Sequence, residues 1–224
     1  MAKPKNRLLF SKNGRACYIS HLDLMATFQR VFLRSGVPIW QTQGFNKHAY
    51  VSIALPLSVG YSSDCEILEF NLGDDMPMEE VPARMNASMP EGIQVLACYA
   101  IETPMKKLDE IDWTVTIVYD NGVPEQAIQE ITALLGQESL VIQKKSKKSK
   151  KCYTEIDLIP MIYLWEMQLS EGGIQVHARL MAQNPGLNPS IVINTICEQC
   201  PDAAPDFVRY HRNEIFDGDG KVFR

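Results

Sequence analysis

Two of the chain's four histidines sit beside groups they could work with. His21 lies in Ser20-His21-Leu22-Asp23, and His48 closes Gln43-Gly44-Phe45-Asn46-Lys47-His48, with Tyr50 two residues on. An imidazole that titrates near neutrality can move the proton of an RNA 2′-hydroxyl, while a Lys or Arg stabilises the phosphorane. His48 and His21 are therefore the candidate catalytic residues. The same stretch also suits a chemistry without bond breaking. Phe45 and Tyr50 offer stacking faces, and Lys47 offers a cation, so an unpaired base and its phosphate would find both needs met within six residues. Exposed aromatics are unfavourable unless something covers them.

A second concentration of charge is Lys144–Lys151, which reads K-K-S-K-K-S-K-K. Lys144, Lys145, Lys147, Lys148, Lys150 and Lys151 make six cations in eight positions, more than solubility needs. Each phosphate they neutralised would release counterions. Such a tract reads charge and not sequence. Arg30 and Arg34 share a helix face at i,i+4 spacing and extend the cationic surface. The expected RNA-binding set is thus Arg30, Arg34, Phe45, Lys47, His48, Tyr50 and the six tract lysines.

The net charge of −5 conceals this segregation. Residues 1–50 hold eight Lys/Arg against one acid, Asp23, whereas residues 51–143 hold three against sixteen. After the tract, residues 152–224 hold five against ten. A polyanion responds to the local field within about 10 Å, so two basic foci in an acidic protein point to an anionic partner.

Other chemistries lack their residues. Cys197-Glu198-Gln199-Cys200 has C-x-x-C spacing with His211 downstream, but no second pair completes a four-ligand zinc set. There is no C-x-x-x-C-x-x-C run, no G-x-x-x-x-G-K-[ST] and no G-x-G-x-x-G. Asp74-Asp75 and Glu79-Glu80 fall in a turn and a helix start, where local structure accounts for them. No metal and no cofactor are expected. The six cysteines read as reduced thiols. The longest apolar runs, such as Ile159–Trp165, are too short to span a membrane, and Met1–Lys5 is not followed by an apolar core. A cytoplasmic protein without membrane contact is expected.

The elements that must position these residues follow from periodicity. Arg7–Lys12 reads as a strand. Ser20 caps a helix running to about Arg34, with Leu24, Phe28, Val31 and Phe32 as its buried stripe and Gly36 as its stop. Val37–Gln41 reads as a second strand. Gln43–Pro56 is an inserted loop that becomes a strand at Tyr50–Leu55. Cys65–Leu72 is a strand, Pro77–Met89 a helix and Ile93–Ile101 a strand. After a polar linker at Lys106–Asp112 come a strand from Trp113, a helix over Pro124–Leu135, and short strands on either side of the lysine tract. A hairpin turning at Glu171-Gly172-Gly173, a helix opening at Asn188-Pro189 and a last strand over Phe207–Phe216 complete the chain. Each half approximates the β-α-β-β-α-β order. The expected fold is α+β, two tandem ferredoxin-like domains over residues 1–104 and 112–224, the first carrying the Gln43–Pro56 element and the second the 144–151 hairpin loop.

Phe10–Arg15 (F-S-K-N-G-R), Ile19–Met25 (I-S-H-L-D-L-M), Gln43–His48 and Ser52–Leu57 (S-I-A-L-P-L) together resemble the bacterial family called radical SAM-linked proteins. Its members occur fused to, or encoded beside, a radical-SAM protein. The resemblance is carried by residues 7–60, and Arg209–Arg212 (R-Y-H-R) is similar to the family's tail. Where the family has G-F-N-P-H-P, Lys47 and Ala49 replace both prolines, which leaves this loop less rigid. At the level of fold, the chain also looks like the repeat-associated RNA-binding superfamily, which includes CRISPR repeat-RNA processing endoribonucleases. Taken with the resemblance, the residues lead us to expect a non-catalytic RNA-binding accessory protein that presents tRNA or rRNA to a radical-SAM partner. The alternatives are a metal-independent endoribonuclease using His48 or His21, and a protein-only adaptor that docks a radical-SAM enzyme.

Overall fold

Alternation in the first strand decides which face of the first sheet is covered. A computed structural model describes residues 5–43, 45, 47–73, 76–145 and 153–224. In it β1 (Asn6–Lys12) buries Leu8 and Phe10 completely. α1 (His21–Ser35) brings Phe28 onto Phe10, with ring centroids 4.7 Å apart at 65°. This edge-to-face contact adds to the burial that holds the helix in place. Ser20 caps α1: its Oγ accepts the Asp23 N–H at 3.2 Å and donates to the Asp23 carboxylate at 2.7 Å. Gly36 ends the helix at φ 66°, where a side chain would be strained.

The chain forms two compact units, one of Met1–Leu108 with His211–Arg224 and the other of Asp109–Tyr210. In the first, β1 lies between β3 (Ser62–Phe70) and β4 (Ile93–Ala100), antiparallel to both, with Leu8 opposite Leu68 and Cys98. The two-residue β2 (Ser52–Ile53) pairs β3 at Glu69 and Leu68. α2 (Val81–Asn86) adds Val81 and Met85 to the core under α1. His211 and Arg212, from the last strand, run parallel to β3 opposite Ser62 and Ser63.

In the second unit β5 (Leu108–Val118) pairs antiparallel with β9 (Gly173–Met181), which forms a hairpin with β8 (Ile162–Ser170). Asp206 at the foot of β10 (Phe207–Asp217) donates its N–H to Val118 O at 3.1 Å. α3 (Ala127–Leu135) and α4 (Pro189–Gln199) supply the helices, and Asn188 caps α4 by accepting from Ser190 N–H at 3.0 Å. Among the described residues, β6 (Val141–Lys145) and β7 (Tyr153–Asp157) pair with each other as a separate two-stranded sheet. The fold is α+β with mostly antiparallel sheet. No helix among the described residues is long and apolar enough to cross a membrane.

The elements differ from the sequence-based expectation in four places. Val37–Gln41 is not a strand: it makes isolated bridges at Ile39 and Gln41, because Pro38 has no N–H to continue a ladder. The strand expected at Tyr50–Leu55 shrinks to β2, since Leu55 turns to φ 43° before Pro56. The helix expected from Pro77 begins as a 3₁₀ turn at Met78–Glu80 and ends at Asn86. There the Asn86 amide bonds both the N–H and C=O of Val95 at 2.8 Å. The polar linker at Lys106–Asp112 is mostly strand: Leu108 and Ile111 are buried, and Asp112 is covered because His177 and Arg179 reach it at 2.8 and 3.3 Å. The expected boundary lay between residues 104 and 112. The chain passes between units at 108/109 and again at 210/211.

Candidate functional site

The loop expected to meet a ligand is closed at its base and open at its tip. Gln41 bridges Ala49, and Thr42 N–H donates to His48 O at 2.9 Å. The Thr42 hydroxyl accepts the His48 N–H at 3.2 Å and lies 3.1 Å from His48 Nδ1. Gln29 on α1 donates to Ala49 O at 3.2 Å and ties this base to the helix. Tyr50 turns inward, packing edge-on against Trp40 with centroids 6.0 Å apart. Phe45 is fully exposed at the tip, with Lys47 and His48 exposed beside it in sequence.

His21 is exposed in the first turn of α1. Gln29, which holds the loop's end, is eight residues further along, about 12 Å of helix rise. Arg30 is exposed, and Arg34 donates to Ser88 O at 3.1 Å, which ties α1 to the turn after α2. Lys144 and Lys145 end β6. Lys147, Lys148, Lys150 and Lys151, like Asp74 and Asp75, lie outside the described residues.

A second constellation, absent from the sequence reading, gathers around the start of β3. Ser62 Oγ lies 2.9 Å from His211 Nδ1, and His211 Nε2 lies 3.0 Å from Asp64 Oδ2. Asn13 Nδ2 donates to Asp64 Oδ1 at 3.0 Å. Burial pushes the Asp64 carboxyl up, but the hydrogen bonds from Asn13 and His211 and the imidazole's charge outweigh it, so its pKa falls below the ordinary value.

Beside this chain, Arg212 Nη1 donates to Glu66 Oε1 at 2.8 Å and Nη2 to Leu55 O at 2.9 Å. Lys12 is buried with them, and desolvation lowers its pKa against the pull of Glu66. Arg7, also buried, grips Glu69 through Nε and Nη2 at 3.0 and 2.8 Å and lies 4.8 Å from the Phe223 ring centroid. The signal available in the sequence was the polar alternation Ser62, Asp64, Glu66, of which only Glu66 fell on the strand expected at Cys65–Leu72, whereas β3 begins at Ser62. Their partners are 146–149 residues away.

Among the described residues no group of three or more His, Cys, Asp or Glu side chains is arranged to hold a metal ion. Cys65 is buried and its thiol is pushed up to about 12, so it is inert.

These features define an α+β protein with an aromatic-tipped cationic loop and a buried polar seam. The chain belongs to the family described as "Uncharacterized protein conserved in bacteria (DUF2344)", whose model matches residues 5–189. No curated protein matches it. Among solved structures it is similar to a chain of a Cbf5-Nop10-Gar1 complex, at 8% identity over 94% of this chain and 48% of that one, with a TM-score of 0.53. The chain thus spans about half the length of that relative, and the likeness speaks to fold alone. An unknown protein from Galdieria sulphuraria matches at 9% identity over 93% of this chain and 98% of that one, with a TM-score of 0.29.

Proposed function

We propose that this chain is a non-catalytic RNA-binding accessory protein that holds a tRNA or rRNA for a radical-SAM partner in the cytoplasm. Each of its units, in this proposal, follows the ferredoxin-like order. The observation that carries the RNA reading is Phe45, an aromatic ring held fully in solvent on a loop whose base is closed. Lys47 and His48 stand beside it in sequence, and Arg30 is exposed on the helix to which the loop is tied. A base stacked on Phe45 would leave its phosphate within the field of these cations. The lysine tract supplies further charge without specificity.

The test is filter binding of total cellular RNA at low and moderate salt. Wild type is compared with Phe45→Ala and with a variant whose six tract lysines are alanine. The expected result is that Phe45→Ala weakens binding at every salt concentration. The lysine variant loses affinity and salt slope together, by about 0.7 log units of slope per phosphate contact on single strands. If wild type binds no RNA at low salt, the RNA reading is wrong. Co-purification of a radical-SAM protein from cells would then mark the chain as a protein-only adaptor.

A further inference from the structure

We propose that Ser62, His211 and Asp64 form a nucleophilic site that takes an acyl group from a carboxylic ester. The proposal uses none of the residues of the RNA reading; it leaves the RNA binding as it stands and replaces only the non-catalytic part of that reading. Its basis is a continuous hydrogen-bond chain. Asn13 Nδ2 holds Asp64 Oδ1 at 3.0 Å, Asp64 Oδ2 meets His211 Nε2 at 3.0 Å, and His211 Nδ1 meets Ser62 Oγ at 2.9 Å.

Directions along the chain follow from charge. Asp64 is ionised at neutral pH and can only accept, so His211 Nε2 carries a hydrogen, and in the neutral ring Nδ1 presents a lone pair to the Ser62 hydroxyl. The ring is turned relative to the serine-protease order, in which Nδ1 faces the carboxylate and Nε2 the serine, and here it is the Nδ1 lone pair that can take the hydroxyl proton. Asn13 is itself fixed: its N–H donates to Gly92 O at 2.7 Å. Gly92 sits at φ +86°, and a Cβ there would come within 2.4 Å of Asn13 O. Only glycine allows this close approach.

The reacting groups are reachable. The His211 side chain is 29% exposed and Ser62 is half-buried. Ser63, the next residue, has Lys12 opposite it on β1 and Arg212 opposite it on β10. Successive side chains leave a strand on opposite faces, so this cation pair, with Arg212 bound to Glu66 and Leu55 O, lies on the covered side of the strand and fixes the backbone beneath Ser62.

In the first step Ser62 Oγ bonds to the ester carbonyl carbon, and its proton passes to His211 Nδ1. The carbon–oxygen bond to the alcohol breaks, and the departing oxygen takes that proton. Water then attacks the acyl-Ser62 ester, giving one proton through His211 back to Ser62 Oγ and releasing the acid. Ester and water become acid and alcohol, and no redox partner is needed. Asp64 is the positioning residue: it remains ionised throughout and orients the ring.

The experiment treats the intact, folded chain with a fluorophosphonate probe and maps the adduct by mass spectrometry. An O–P bond forms at Ser62 as fluoride leaves. The expected result is one adduct on Ser62, absent in Ser62→Ala and formed about 100-fold more slowly or less in His211→Asn. Asp64→Asn, checked by melting temperature to be folded, slows labelling while Asp64→Glu restores it. A purely structural His211 staple would change stability and leave labelling unaffected. p-Nitrophenyl acetate hydrolysis should follow the same order. Folded wild type that takes no label, or label that persists in Ser62→Ala, overturns the proposal.

Discussion

The Thr42–His48 loop and the seam around Glu66 use similar side chains under opposite conditions. In the loop, Phe45, Lys47 and His48 are exposed, and Thr42 and His48 bond each other at the base. In the seam, Lys12, Glu66 and Arg212 are almost wholly removed from water. Exposed cations are cheap to keep and contribute little to folding, so their presence beside a bare aromatic ring points away from the fold and, under the RNA proposal, outward to a ligand. Buried charges are costly unless matched, so theirs points inward to geometry. The same residue types therefore carry different information depending on solvent, and substitutions should separate the two regions cleanly.

The largest effect belongs to the seam. Arg212→Ala removes the guanidinium that pairs with Glu66 and holds Leu55 O. A buried carboxylate is then left with Lys12 as incomplete compensation, and stability should fall by about 3–5 kcal/mol. The denaturant midpoint measures this. The pair Glu66→Leu with Arg212→Met should recover most of the loss, because it removes the stranded charge. If Arg212→Ala unfolds at the wild-type midpoint, the seam does not hold the unit together and the comparison collapses.

The next effect belongs to the loop and appears in binding. Phe45→Ala should leave the denaturant midpoint within about 0.5 kcal/mol of wild type, since the ring touches nothing inside. Its RNA affinity should fall by about 1–3 kcal/mol, the value of a base stacked on an aromatic ring. A loss of stability as large as the loss of affinity would mean the ring is structural after all.

These two regions also explain what the sequence made legible. The loop's residues stood out as a cluster within six consecutive positions, which needs no knowledge of pairing, but that Tyr50 of this set turns in against Trp40 depends on tertiary packing. The α1 cap and stripe were equally plain, since Ser20, Leu24, Phe28 and Phe32 obey a 3.6 period and interact locally. The seam could not be read. His211 meets Ser62 across 149 residues, and Arg212 meets Glu66 across 146, through a last strand that pairs back with the first unit. Nothing in Arg209-Tyr210-His211-Arg212 announces which strand receives it. Pro38 and Leu55 likewise cut short strands that alternation alone had drawn longer.

A smaller stability effect tests local structure. Ser20→Ala removes the acceptor for Asp23 N–H and should cost about 1 kcal/mol. It lies between the two regions in exposure, bonded yet wet, and its cost should fall between theirs. A Ser20→Asp variant should retain most of the cap.

The smallest effect is the one that links the regions' logic, because Asp64 is a half-exposed member of a largely buried neighbourhood. Its side chain is 58% exposed, so solvent screens the contribution and no large loss is expected. The sign is nonetheless determined. The hydrogen bonds from Asn13 and His211 lower the folded-state pKa below that of the unfolded chain, where Asp titrates near 3.9. The folded state therefore binds fewer protons in that window, and stability from this group is present above the unfolded value. It is lost as pH falls through the folded value. Denaturant midpoints measured from pH 5 to pH 2 should decline more steeply in wild type than in Asp64→Asn, with the difference confined to pH below about 4 and reduced by added salt. Parallel curves would show that the Asn13–Asp64–His211 bonds do not favour the ionised carboxylate. Asp64 would then behave as an exposed acid like those around it, and the seam would end at Glu66.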